Sequence, residues 1–205
     1  MARETDEIIS IHITGKHSGT CDAALAGKEV AGKKGCRIEV VDSRGVTMWQ
    51  GLVAIAAARA AQARLSLDEV MGSAHEAIGR MRVLALLDSL KYVVKGGRLS
   101  KAISKVESVL NVKLLLTLHN GELRPTGLVR TRNRGIVRLQ EFVKSNLHIR
   151  DLSIVYSTTI EDAHTLAEYV RSVLPGVAPH LVRLGPALGV HAGPGALIAV
   201  ANEAE

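Results

Sequence analysis

VKLLLTLHNGELRPTGLVRT, Val112 to Thr131, sets two apolar-rich runs on either side of Asn120-Gly121. Both central residues tolerate positive φ, so a two-residue turn folds the runs into an antiparallel hairpin. A hairpin here rules out a fold made only of parallel strands. Downstream, the patterning predicts a helix over about 133–146, a strand in LSIVYS, a helix from Thr159 to Leu174, and strands in PHLVRLG and ALIAVA.

Upstream the rhythm differs. Residues 8–13, IISIHI, read as a strand apolar on both faces, as a covered parallel sheet requires. A polar loop, TGKHSGT, leads into a helix in CDAALAGKEVA. A second strand follows at Arg37–Ser43, then an Ala-rich helix from Gly51 to Ala63. Ser66 and Glu69 form a capping box that opens a further helix. Met81–Leu87, MRVLALL, is a third strand. The order βαβααβ predicts a parallel sheet with right-handed crossovers. From Asp88 a helix runs to Gly96-Gly97, where it breaks, with a restart at Ser100. The expected architecture is α/β in two lobes, residues 1–95 and 96–205. The first carries the parallel sheet and the second is mixed α/β with the hairpin; together they make one unit.

The 205 residues are 47% apolar and carry a net charge of +6. Aromatics are only 2%, so Val, Leu, Ile and Ala must build the core. The basic excess is spread along the chain, which fits a solvated surface and gives no expectation of nucleic-acid binding. Cys21 and Cys36 have neither metal-ligand nor disulfide spacing and suit a reducing compartment. The N-terminus MARETDEIIS has no apolar signal region. Arg59 and Gln62 interrupt the most apolar segment, so no membrane span is expected. These features together predict a cytoplasmic protein. The isolated histidines match no zinc pattern, and no nucleophile elbow is present, so neither a metal nor a catalytic residue is expected.

Three stretches carry candidate chemistry. His17-Ser18-Gly19-Thr20 leaves a strand and enters a helix, where backbone N–H groups and hydroxyls favour an anion. The same residues also serve as an ordinary N-cap. Arg130, Arg132 and Arg134 alternate, which at a strand end places all three on one side, as an anion contact or as a solvated basic edge. In GVHAGPG, His191 sits among Gly189, Gly193 and Gly195, which let backbone approach a ligand closely. Its imidazole pairs with a carboxylate, or alternatively with a backbone carbonyl inside a tight turn. VVKGGRLSKA lacks the spacing of a nucleotide phosphate loop.

DEIISIHITGKHSGT, RIEVVDSRGVTMWQGL, LDSLKYVVKGGRLSKA, VLNVKLLLTLHNGELRP, LVRTRNRG and LGPALGVHAGPGALIAV, in this order, resemble the DegV family of fatty-acid-binding proteins. The resemblance covers nearly the whole chain. It implies a two-lobed DegV-like fold that buries a long-chain fatty acid in a tunnel. The family presents the acyl carboxylate to a fatty-acid kinase, whose acyl phosphate feeds phospholipid synthesis. Carried onto this chain, Ser18, with Gly19 and Thr20 beside it, and His191 hold the carboxylate. Gly189 and Gly193 give the ligand close approach, and Arg130 or Arg132 meets the kinase or the phosphoryl group. No cofactor is implied, and the protein is a carrier, not an enzyme, with transient contact to a membrane surface.

One part of the pattern is unmatched. The family's opening segment, with a TDS-type strand, a T-S-Q-P-S loop and a threonine for the carboxylate, has no counterpart before EIISIHI. A sheet edge would stay open to pairing, including with a second copy. A shortened member without a lipid site, acting as an interaction or regulatory protein through its basic surface, is the alternative. It predicts salt-sensitive binding to an acidic macromolecule that ignores Ser18→Ala. An enzyme built on Ser18 and His191 lacks a third orienting group.

Overall fold

The structure is a computed structural model that describes residues 5–32, 35–98, 112–146 and 148–204. Two compact units make up the chain: Met1–Arg80 with Asn120–Glu122, and Met81–His119 with Leu123–Glu205. Gly96-Gly97 lies within the second unit.

The first unit contains β1 (Glu7–His12), α1 (Thr20–Gly32), β2 (Arg37–Asp42), α2 (Met48–Gln62) and α3 (Leu67–Arg80). β1 and β2 pair in parallel, from Glu7 opposite Arg37 to His12 opposite Asp42, with α1 as the crossover. α3 buries Leu67, Val70, Ala74 and Ala77, a stripe at helical spacing, and packs against α2, which buries Trp49, Leu52, Val53, Ala57 and Ala60. The small alanines on both stripes let the two helices approach. The capping box opens α3 as expected: Ser66 N donates to Glu69 Oε2 at 2.8 Å, and Glu69 N donates to Ser66 Oγ at 3.4 Å.

The second unit follows with β3 (Met81–Leu87), α4 (Leu90–Lys95), β4 (Lys113–His119), β5 (Glu122–Val129), α5 (Arg132–Ser145), β6 (Ile149–Tyr156), α6 (Ile160–Val173), β7 (His180–Arg183), α7 (Pro186–Ala192) and β8 (Leu197–Glu203). Its six strands run in the order β5-β4-β3-β8-β6-β7. β6 and β7 are parallel, while β3 is antiparallel to β4 and β8, and β6 to β8. The hairpin turn forms as read, with φ of 49° at Asn120 and 81° at Gly121. β8 lies centrally, so Leu197 to Ala201 are all buried. α5 and α6 cover the sheet through Leu139, Val143, Leu166 and Val170 against Leu86, Leu152, Ile154 and Leu197. Each fully buried Leu contributes about 1.5–3 kcal/mol of transfer free energy.

The α/β class and the mixed hairpin-bearing sheet agree with the sequence. The third strand does not stay with the first two. β3 begins directly after α3 and joins the six-stranded sheet, antiparallel to both neighbours. A βαβααβ order fixes the kinds of element, but pairing partners far along the chain decide which sheet a strand enters. The helix α7 was also unforeseen. Its seven residues, opened by Pro186 at the first turn, are too few to show a helical period. The expected restart at Ser100 lies outside the described residues.

Candidate functional site

In the first unit, the loop after β1 leads into α1. Ala23 N donates to Gly19 O at 3.0 Å, the first bond of that helix. Ser18 Oγ accepts from Thr20 N at 3.3 Å and lies 3.2 Å from Thr20 Oγ1. Ser18 is half-buried, and Gly19 and Thr20 are exposed. Two hydroxyls therefore stand together at a helix N-terminus, beside N–H groups that favour negative charge. Asp42 Oδ2 accepts from Gly15 N at 3.1 Å and its Oδ1 from Arg44 N at 2.7 Å, so the carboxylate ending β2 shapes both adjacent loops. Cys21 is buried at the start of α1. Burial pushes its thiol up, with Asp42 and then Asp22 adding to the effect, so it stays protonated.

In the second unit, His191 is carried by α7 and packs against the end of α4. A Cβ built on Gly96 would lie 3.1 Å from Cε1 and 3.2 Å from Cγ of the ring, and nearer still to Nδ1. Only glycine at 96 lets the imidazole rest there. Nδ1 is buried and has no hydrogen-bond partner among the described residues. His191 is thus helical, without the carbonyl bond at Nδ1 that a tight-turn reading would give. Gly193 ends α7 with φ of 76°, and a Cβ there would strike the Tyr92 ring of α4. Gly189 has open space where a Cβ would go.

Below α7 lies a cluster of charge. Arg132 Nε donates to Asp162 Oδ2 at 2.9 Å, one terminal nitrogen to Asp88 Oδ1 at 2.9 Å and to the Gly195 carbonyl, and the other to Thr159 Oγ1 at 2.9 Å. Lys113 Nζ lies 3.0 Å from Asp88 Oδ1. Arg132 therefore ties the starts of α5 and α6 to the segment between α7 and β8. Arg130 is exposed and forms no ion pair among the described residues. The alternating arginines do not share a strand face, because β5 stops at Val129. Thr131 caps α5, accepting from Arg134 N at 3.3 Å, so Arg132 and Arg134 follow helical geometry.

A family model described as an uncharacterised protein of the DegV family matches residues 1–204. The chain belongs to the DegV family. A DegV domain-containing protein of Caldanaerobacter subterraneus subsp. tengcongensis is 32% identical over 199 residues, covering 96% of this chain and 70% of the relative. Among solved structures, a DegV family protein from Eubacterium eligens loaded with heptadecanoic acid superposes with a TM-score of 0.88 at 20% identity, over 98% of this chain and 74% of that one. The fatty acid kinase (Fak) B3 protein of Streptococcus pneumoniae, loaded with linoleic acid, superposes with a TM-score of 0.89 at 21% identity, over 98% and 73%. These two likenesses establish the DegV-like fold.

Within this DegV chain, Ser18, Gly19 and Thr20 stand together in the first unit, and Arg130, Arg132, Gly189, His191 and Gly193 belong to the second. Sequence reasoning missed Gly96, Asp88, Ser157 and Thr158. Thr158 Oγ1 accepts from Gly195 N at 3.0 Å and Ser157 Oγ from Ala196 N at 2.9 Å, clamping the backbone that follows α7. The one signal for Gly96 was its place beside Gly97, whose φ of 64° demands glycine in its own right. No group of three or more metal-binding side chains occurs among the described residues, and no helix there is long and apolar enough to cross a membrane.

Proposed function

We propose that this chain is a cytoplasmic carrier that binds a long-chain fatty acid and presents its carboxylate to a fatty-acid kinase. The acyl phosphate made by that kinase would feed phospholipid synthesis. The observation that carries this reading is Nδ1 of His191, buried and without a partner among the described residues, on a ring seated over Gly96. An unpaired buried donor costs about 1–3 kcal/mol, and a ligand carboxylate relieves that cost with a charge-assisted hydrogen bond. Family membership and the fatty acids named with the two superposed proteins support the same ligand class.

On the family resemblance, Ser18 and Thr20 are hydroxyl donors for a carboxylate at the start of α1, with Gly19 beside them. Gly189 and Gly193 would give the ligand close approach on α7. Arg130, exposed and without an ion pair among the described residues, is the contact for the kinase or the phosphoryl group. Arg132, bound to Asp88, Asp162, Thr159 and Gly195, fixes the start of α5 two residues further along the chain. The chain itself transfers no atom and needs no cofactor. Brief contact with a membrane surface would supply the acid. Among the described residues β1 pairs with a strand on one side only, and its other side is where a second copy would pair.

Native mass spectrometry of the purified protein, followed by lipid extraction, tests the reading. The wild type should carry a long-chain acid or take up added oleic acid, and His191→Ala and Ser18→Ala should each lose most of it. A wild-type protein that neither carries an acid nor binds oleic acid refutes the proposal.

A further inference from the structure

The parallel strands β6 and β7 end side by side, with Tyr156 opposite Arg183, and Leu184 N donates to Tyr156 O at 2.7 Å. Beyond that point the two chains part around a cavity of about 540 Å³ lined by Ser157, Thr158, Arg183 and Leu184, with Gly185 and the α7 side beyond. The carboxyl ends of parallel strands are where open α/β sheets take ligands. We propose that this groove is a second binding site, for a phosphate monoester dianion, on the side of α7 away from His191; it shares only the glycine backbone at 189 and 193 with the fatty-acid reading, while Ser157, Thr158 and Arg183 belong to the groove alone.

The donors fit that chemistry. Ser157 Oγ and Thr158 Oγ1 already accept from the backbone N–H groups of Ala196 and Gly195. Each hydroxyl is thereby fixed in place and keeps its own proton to donate. Arg183 is exposed, enters no ion pair among the described residues, and brings a planar fork suited to phosphate. No acidic side chain lines the groove. Two hydroxyls and a guanidinium suit the three oxygens of a monoester, and Leu184 with Pro194 offers an apolar wall for its uncharged part.

The helix α7 separates this groove from the imidazole. Pro186, Gly189 and Gly193 recur at helical spacing on the groove side. His191 lies two residues past Gly189, about 200° around the axis, and faces Gly96 instead. The backbone of Gly189 thus forms groove wall, and any larger side chain there would occupy the ligand's space.

Titration with inorganic phosphate, glycerol 3-phosphate and phosphatidic acid vesicles, followed by amide NMR shifts or co-sedimentation, tests the proposal. Saturable shifts of Ser157, Thr158, Leu184 and Gly189 are expected. Arg183→Gln should weaken binding about tenfold or more, the loss of one charge-assisted contact, while leaving oleic acid uptake unchanged. Gly189→Leu should abolish phosphate binding in a protein that stays folded, because glycine inside a helix is the less stable choice. Binding of the two soluble probes points to a free metabolite, and binding of the vesicles alone points to a lipid headgroup. Either supports the site. Absent or non-saturable binding, or binding indifferent to both substitutions, overturns it.

Discussion

Gly96→Ala should distort the seat of His191, and the size of the effect follows from the geometry. Gly96 has φ of −69° and ψ of −13°, right-handed helical angles that alanine adopts freely. On backbone grounds the substitution gains about 0.5–1 kcal/mol by narrowing the unfolded ensemble. Contact opposes it. The new Cβ would sit 3.1 Å from Cε1 and 3.2 Å from Cγ of His191, inside the ~3.5 Å at which carbon contacts become favourable. Overpacking of that kind costs about 1–3 kcal/mol, so the single variant should lose up to about 2.5 kcal/mol. In a His191→Ala background the obstacle is gone, and the same substitution should be neutral or stabilising. The two substitutions are therefore coupled by about 1–3 kcal/mol. For a chain of this length, 1 kcal/mol moves Tm by about 2–4 °C, so a thermal melt of the four proteins resolves the coupling. Additive single effects would refute the packing of the ring on Gly96. Oleic acid retention in Gly96→Ala should fall toward that of His191→Ala, since a displaced ring no longer aims Nδ1.

Arg132→Gln should destabilise the second unit by about 2–3 kcal/mol, less than a fully buried pair because part of each partner meets solvent. Urea unfolding reads the loss. Arg132→Lys should recover little, since one ammonium cannot reach Asp88, Asp162, Thr159 and Gly195 together; full recovery would show that charge alone matters. At the start of α3, hydrogen bonds from the Ser66 hydroxyl and backbone hold the Glu69 carboxyl below the usual carboxylate range. Its stabilisation is therefore complete above the ordinary carboxylate pKa and disappears as pH falls through the lowered folded-state value. Amide exchange in α3 should speed up on acidification more in the wild type than in Glu69→Gln, and equal slopes would contradict the linkage.

The local geometry around Ser18 and Thr20 was legible because it depends on neighbouring residues. Ser18 and Thr20 were read from a strand-to-helix loop, and the structure pairs their hydroxyls at the start of α1. His191 stood out among glycines, but its helix did not, since seven residues cannot show a period. The arginines were misjudged as a group because alternation assumed a strand, and the cap at Thr131 had already started a helix. Asp88 and Gly96 gave no local sign, as their roles depend on Arg132 and His191, far along the chain.

The sequence by itself determined the features that depend on neighbouring residues: the Asn120-Gly121 turn, the Ser66–Glu69 capping box, the apolar run of β3, and the motif blocks that place the chain in the DegV family. Tertiary structure alone decided that β3 leaves the parallel pair for a seat between β4 and β8, where Leu86 meets Leu197. It alone set Arg132 inward and Arg130 outward, and laid Gly96 beneath an imidazole whose Nδ1 has no partner among the described residues. The physical reason is the range of the forces involved. Turn and cap preferences act within a few residues, whereas strand pairing, ion pairing and close packing are settled by whichever distant segments the folded chain brings into contact.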